Sequence, residues 1–131
     1  MASPVAFSAY PTTTIDYDEG AIVQFDSIVT NIGDAYSEQL SVFQCPSDGI
    51  YLFSISLFTT VETFMSANIV KDGVVLLASR SDYTDSIQSS VVVVTDCLAS
   101  ETVWVECDMN NNGLIGNRRS SFSGVLITSY A

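Results

Sequence analysis

Short runs of Val, Ile, Thr, Tyr and Phe, broken at regular intervals by turn-forming residues, constrain this chain more than any other feature. Such side chains fit a pleated, half-buried surface. Val5-Ala6-Phe7-Ser8-Ala9 alternates, and Pro11-Thr12-Thr13-Thr14 interrupts it. Leu40 to Phe43 leads into Pro46-Ser47-Asp48-Gly49, where Pro sets φ and Gly accepts a positive φ. The long run Ile50 to Phe58 reads as apolar on both faces, one for the core and one for a partner chain. Ala67 to Lys71 and Val74 to Ala78 flank Asp72-Gly73, the strongest hairpin signal in the chain, because a two-residue type I′ turn needs positive φ twice. Val91 to Thr95 and Val103 to Val105 read as a second hairpin around Ala99-Ser100, and a last strand covers Ser121 to Tyr130. Helical periodicity is absent. The chain is therefore all-β, and so many short strands imply a sandwich, jelly roll or barrel.

Charge narrows the function classes. Fifteen Asp and Glu stand against four cations, Lys71, Arg80, Arg118 and Arg119, for a net charge of −11. That balance opposes nucleic acid and anionic membrane surfaces. No apolar run approaches the length of a membrane span, so no membrane insertion is expected. The sequence holds no His, which removes the usual general base, proton shuttle and zinc ligand together, and no enzyme activity is expected. Only 15% of residues are charged, so much uncharged surface is left for subunits to cover. The 131 residues fit one domain, 1–131. The cysteines are Cys45, Cys97 and Cys107. They read either as small buried hydrophobes or, for two of them, as a Cys97–Cys107 bridge across the second hairpin.

One spacing is distinctive. Phe25 is followed after five residues by Asn31, after four more by Tyr36, after six more by Phe43, and after five more by Gly49 in Gly49-Ile50-Tyr51-Leu52-Phe53. Phe25 to Gly33, Val103-Trp104-Val105, Asn112-Gly113-Leu114 and Ser121 to Leu126 supply further landmarks in order. This pattern resembles the C1q globular domain of the C1q and tumour-necrosis-factor superfamily, in particular its stalkless members. The resemblance implies a ten-stranded jelly-roll β-sandwich assembled as a trimer. Ile55 departs from it, standing where the family usually carries a second aromatic. This chain has no Gly-X-Y repeat, so it is expected to be either a detached head or a member that never had a stalk.

Candidate sites lie on loops. Asp108-Met109-Asn110-Asn111-Asn112-Gly113 matches the first half of a calcium loop, but Arg119 stands where the closing Glu belongs. Asp72 occupies a place where some family members hold a carboxylate for calcium at the trimer apex, with Asp82 as its second carboxylate after a local shift. Asp72, Asp82 and Asp108 are thus the candidate Ca2+ ligands, against the plainer reading of turn residues. Arg118 and Arg119 suit acidic glycans, with inter-subunit ion pairs as the alternative. Tyr83, Asn110, Asn111 and Asn112 could stack on sugars or hydrogen-bond to them. Asp16-Tyr17-Asp18-Glu19 reads as a solvated acidic loop.

Together these features point to an extracellular, secreted, homotrimeric module of innate immunity. It would be a lectin-like pattern-recognition protein for glycans or microbial surface molecules. The alternative is a trimeric ligand that engages a protein receptor or drives chain assembly. The opening Met1-Ala2-Ser3-Pro4 lacks the regions of a signal peptide, so either the protein is not secreted by the ordinary route or its leader has been trimmed.

Overall fold

The computed structural model describes residues 3–59, 65–81, 87–108, 111–114 and 119–130. Its strands are β1 (Ala6–Tyr10), β2 (Ile15–Tyr17), β3 (Ser27–Ile32), β4 (Tyr36–Ser37), β5 (Val42–Gln44), β6 (Gly49–Thr59), β7 (Met65–Lys71), β8 (Val74–Ser81), β9 (Ile87–Cys97), β10 (Thr102–Cys107), β11 (Asn111–Leu114) and β12 (Ser121–Ser129). Ten of them form two five-stranded antiparallel sheets, ordered β3-β1-β12-β6-β9 and β4-β5-β10-β7-β8, and β11 pairs with β2 in a small ribbon. This is the expected jelly-roll sandwich. Among the described residues no helix is long and apolar enough to cross a membrane.

Alternation decides what each sheet buries. On β6, Tyr51, Phe53, Ile55 and Leu57 are all but fully buried, and the residues between them face outward. Phe7 lies at the centre of the core, stacked on Tyr36 at 4.7 Å and on Phe43 at 4.9 Å, with Phe122 edge-on at 4.9 Å. Each such ring pair adds about 0.5–1.5 kcal/mol beyond area burial. The spaced motif of the sequence is the frame of this core. Asn31 Nδ2 donates to the Tyr36 carbonyl, and the Tyr36 amide donates back to Asn31 Oδ1. The Tyr36 hydroxyl donates to the Phe25 carbonyl at 2.7 Å. Burial pushes the Tyr36 phenol up to about 12.

The Asp72-Gly73 hairpin forms as expected, with φ of 47° and 86° at the two residues. Gly49 departs from expectation. It is a strand residue without positive φ, and an added Cβ would lie 2.5 Å from the Thr128 carbonyl oxygen. Close approach of β12, not turn geometry, requires glycine there.

The second hairpin does not exist. β9 pairs with β6 in one sheet, while β10 pairs with β5 and β7 in the other. Leu98 to Glu101 is a crossover between sheets, with Ser100 at φ 78°. The alternative Cys97–Cys107 bridge is therefore wrong, and the reading of the cysteines as small buried hydrophobes holds for Cys107 alone. Cys107 ends β10, ~17 Å along the strand from Thr102 at about 3.3 Å per residue. Cys97 instead bonds Cys45, just past β5, and so ties the two sheets together. Cys107 keeps its thiol, buried in the core.

Candidate functional site

Two surfaces stand out, the outer face of the first sheet and the loops at one end of the sandwich. On that face the strand registers align side chains into rows. Ile32, Ala6, Val125, Leu52 and Val94 form a row across all five strands. Beside it run Thr30, Ser8, Ser123, Ser54 and Val92, and then Ser121, Ser56 and Ser90. None of these thirteen residues is charged, in a chain of net charge −11. Val92 and Val94 are 55% and 57% exposed, and Val125 39%. The hydroxyls bond laterally, Ser8 to Ser123 at 2.8 Å and Ser90 to Ser56 at 3.0 Å. At the serine end the Arg119 guanidinium lies over the Phe58 ring at 5.7 Å.

At the loop end, the β7–β8 turn, the β9–β10 crossover and the segments before β4 and β6 converge. Asp72 Oδ1 accepts both the amide (2.8 Å) and the hydroxyl (2.9 Å) of Thr102. The Thr102 amide, then its hydroxyl, hold the Asp72 carboxyl below the usual range. Asp48 Oδ1 accepts the Ala99 amide at 2.7 Å, and Glu101 Oε1 accepts the Leu98 amide at 2.6 Å. Lys71 Nζ stands 3.6 Å from Asp96 Oδ1 and donates to the Asp96 carbonyl at 2.8 Å.

These contacts give the expected site residues different standings. Asp72 is occupied in fixing the hairpin against β10. Asp108 is exposed, and its amide donates to the Ser66 carbonyl beyond the end of β10. Asn111 and Asn112 fall on β11, which pairs with β2 through Asn111 and Leu114, so that stretch runs as strand. Asp82, Tyr83, Asn110 and Arg118 lie outside the described residues. Arg119 sits on the outer face of the first sheet, away from the loop end. Among the described residues no three Asp, Glu, Cys or His side chains converge as a metal site. Sequence reasoning passes over the serine rows, which only the register assembles, and Asp34, which no motif marks.

A family model for the C1q domain matches residues 6–127. The chain belongs to the C1q domain family. Its relatives include the mouse (Mus musculus) collagen alpha-1(X) chain, 27% identical over 91% of this chain and 17% of that protein. A bovine (Bos taurus) complement C1q subcomponent is 26% identical over 94% of this chain and 51% of that protein. The chain thus spans about half or less of the curated relatives it matches. Among solved structures, the globular domain of zebrafish complement 1qA superposes with a TM-score of 0.80, at 20% identity over 96% of this chain and 99% of that one. Murine APRIL superposes at 0.75, with 12% identity over 95% and 99%. These likenesses show the jelly-roll fold shared by C1q domains and tumour-necrosis-factor-like proteins. Within the C1q domain, the motif residues Phe25, Asn31, Tyr36, Phe43 and Gly49 all serve the core or the strand packing described above.

Proposed function

We propose that this C1q domain is a secreted, non-catalytic binding module that assembles as a homotrimer and recognises glycans or microbial surface molecules through its loops. The observation that carries the assembly is the set of uncharged rows on the outer face of the first sheet, with half-exposed valines that no segment of the described chain covers. A second apolar surface supports a ring. Val74, Val75 and Leu77 are exposed on β8, the edge strand that lies against β9. Two unlike apolar surfaces on one subunit favour a head-to-tail interface, which closes into a ring when the rotation allows. Three copies then present three equal sets of loops, and weak contacts add through avidity. The Cys45–Cys97 disulfide suits an oxidising compartment.

One placement favours the rival, in which the trimer engages a protein receptor. Arg119 lies over Phe58 beside the assembly face, which leaves one fewer guanidinium for acidic sugars at the loop end. A glycan array run with and without calcium tests the choice. Discrete sugar hits support the lectin reading, and a blank array in both conditions contradicts it in favour of the receptor ligand. Calcium is tested separately by a thermal melt, because a cation that binds only the folded state raises the melting temperature. No shift at millimolar calcium would remove Asp72, Asp82 and Asp108 as ligands.

A further inference from the structure

Five acids surround the loop end: Asp34, Asp48, Asp72, Asp96 and Glu101. Four have structural partners, as given above: Ala99 for Asp48, Thr102 for Asp72, Lys71 for Asp96 and Leu98 for Glu101. Asp34 differs. It follows Gly33 between β3 and β4, at φ 55°, and its amide is turned back toward the Asn31 carbonyl at 3.4 Å. Its side chain is exposed and makes no hydrogen bond or ion pair among the described residues.

Asp34 is also a shared wall of two adjoining clefts, of about 270 and 290 Å³. Gln44 lines both. The first is otherwise polar, with Ser100 and the backbone around the disulfide. The second adds an apolar side, Leu40 and Val42, facing Thr102. Each falls just under the ~300 Å³ at which pockets for whole drug-sized molecules begin, so each suits a group the size of one side chain.

We propose that this double cleft binds an alkylammonium group, with its charge on Asp34 and its methylene stem along Leu40 and Val42. Among the described residues, five acids against Lys71 attract a cation to this end of the molecule, as does the net charge of −11. A divalent metal asks for about six to eight oxygen ligands, and the other four carboxylates here are already engaged. A monovalent head with three donors is served by one carboxylate, the Gln44 amide and a neighbouring hydroxyl. The stem explains why one wall is apolar. Such a group comes either from a free small amine or from a lysine side chain of a protein partner. The site does not rest on the trimer.

The test is an amide-resolved NMR titration of the whole chain with n-pentylamine, with neutral 1-pentanol as the isostere. A lysine-containing peptide and calcium chloride form two further arms. Saturable shifts at Gly33 to Ala35, Gln44 and Ser100 to Thr102 are expected with the amine, and binding at least about tenfold weaker with pentanol. Asp34→Asn is expected to abolish the response while keeping the fold, since Asn tolerates positive φ. Binding of both amine and peptide assigns the site to a protein partner's lysine, and binding of the amine alone assigns it to a free amine. Either result supports the proposal. Equal binding of pentanol, an unchanged response in Asp34→Asn, displacement of the amine by stoichiometric calcium, or no saturable shift in any arm overturns it.

Discussion

The outer faces of the two sheets carry apolar rows of similar length but treat them in opposite ways. On the second sheet, Val42, Trp104, Val70 and Val75 lie in register across β5, β10, β7 and β8. Val70, between the Trp104 indole and Val75, is only 1% exposed. Trp104 is itself held by donating Nε1–H to Glu106 at 3.1 Å, and Glu106 and Asn68 bring polarity to the next row. Within that row Val70 is covered by its own chain, while Val75, on the edge strand β8, stays exposed. On the first sheet the cross-strand neighbours, apart from Ile32 and Leu52, are Ala, Ser, Thr and Val, too short to shield one another, and Val92 and Val94 on the edge strand stay more than half exposed. Rows of small, uncharged side chains suit the partner surface proposed above. On that reading, self-covering and partner-covering surfaces differ in side-chain size, not in hydrophobicity.

The largest expected effect comes from charging the flat face. Leu52→Asp with Val94→Asp places two carboxylates in the central row, and the burial of unpaired charge is expected to reduce the assembly to a single chain with unchanged far-ultraviolet circular dichroism. Sedimentation velocity checks it, and assembly retained with both charges present would break the contrast between the faces.

Next is the disulfide that joins the sheets. It closes a separation of 52 residues, for which the chain-entropy model gives about 4 kcal/mol. Cys45→Ala with Cys97→Ala is expected to lower unfolding free energy by that order in urea titrations, without altering subunit number at concentrations where the domain stays folded.

Trp104→Ala is expected to cost about 2–3 kcal/mol, somewhat less than a fully buried aromatic, by uncovering Val70. It should leave assembly intact. A Trp104→Ala protein that stays stable but dissociates would reverse the assignment of the two faces.

The smallest effect lies at the loop end. Asp72 is held below its usual range, so its contribution is present above the carboxylate's unfolded value near pH ~4 and is lost as pH falls through the depressed folded value. Asp72→Asn is expected to flatten the acid limb of the melting-temperature profile, while Tyr36, raised to about 12, gives an alkaline limb that the variant leaves unchanged.

Much of this architecture is legible in the sequence because local rules dictate it. Asp72-Gly73 forms the turn that a two-residue loop demands, and the Phe25–Asn31–Tyr36–Phe43 spacing delivers the frame it resembles. Long-range pairing is not local. Nothing within Cys97's neighbourhood shows that the chain crosses sheets at Leu98 to Glu101, so along the sequence Cys107 looks nearer than Cys45. The serine rows have the same origin: Ser8, Ser54 and Ser123 are ordinary outward residues until register sets them side by side. Asp34 is hidden for another reason. Its distinction is the lack of a partner where Asp48, Asp72, Asp96 and Glu101 have one, and only the folded chain shows that.

Sedimentation equilibrium on the unmodified chain tests the central claim most directly. The account expects a mass of three times 14.1 kDa, independent of calcium, across micromolar concentrations. A mass near 14.1 kDa throughout that range would mean that the valine and serine rows face water, and would contradict it.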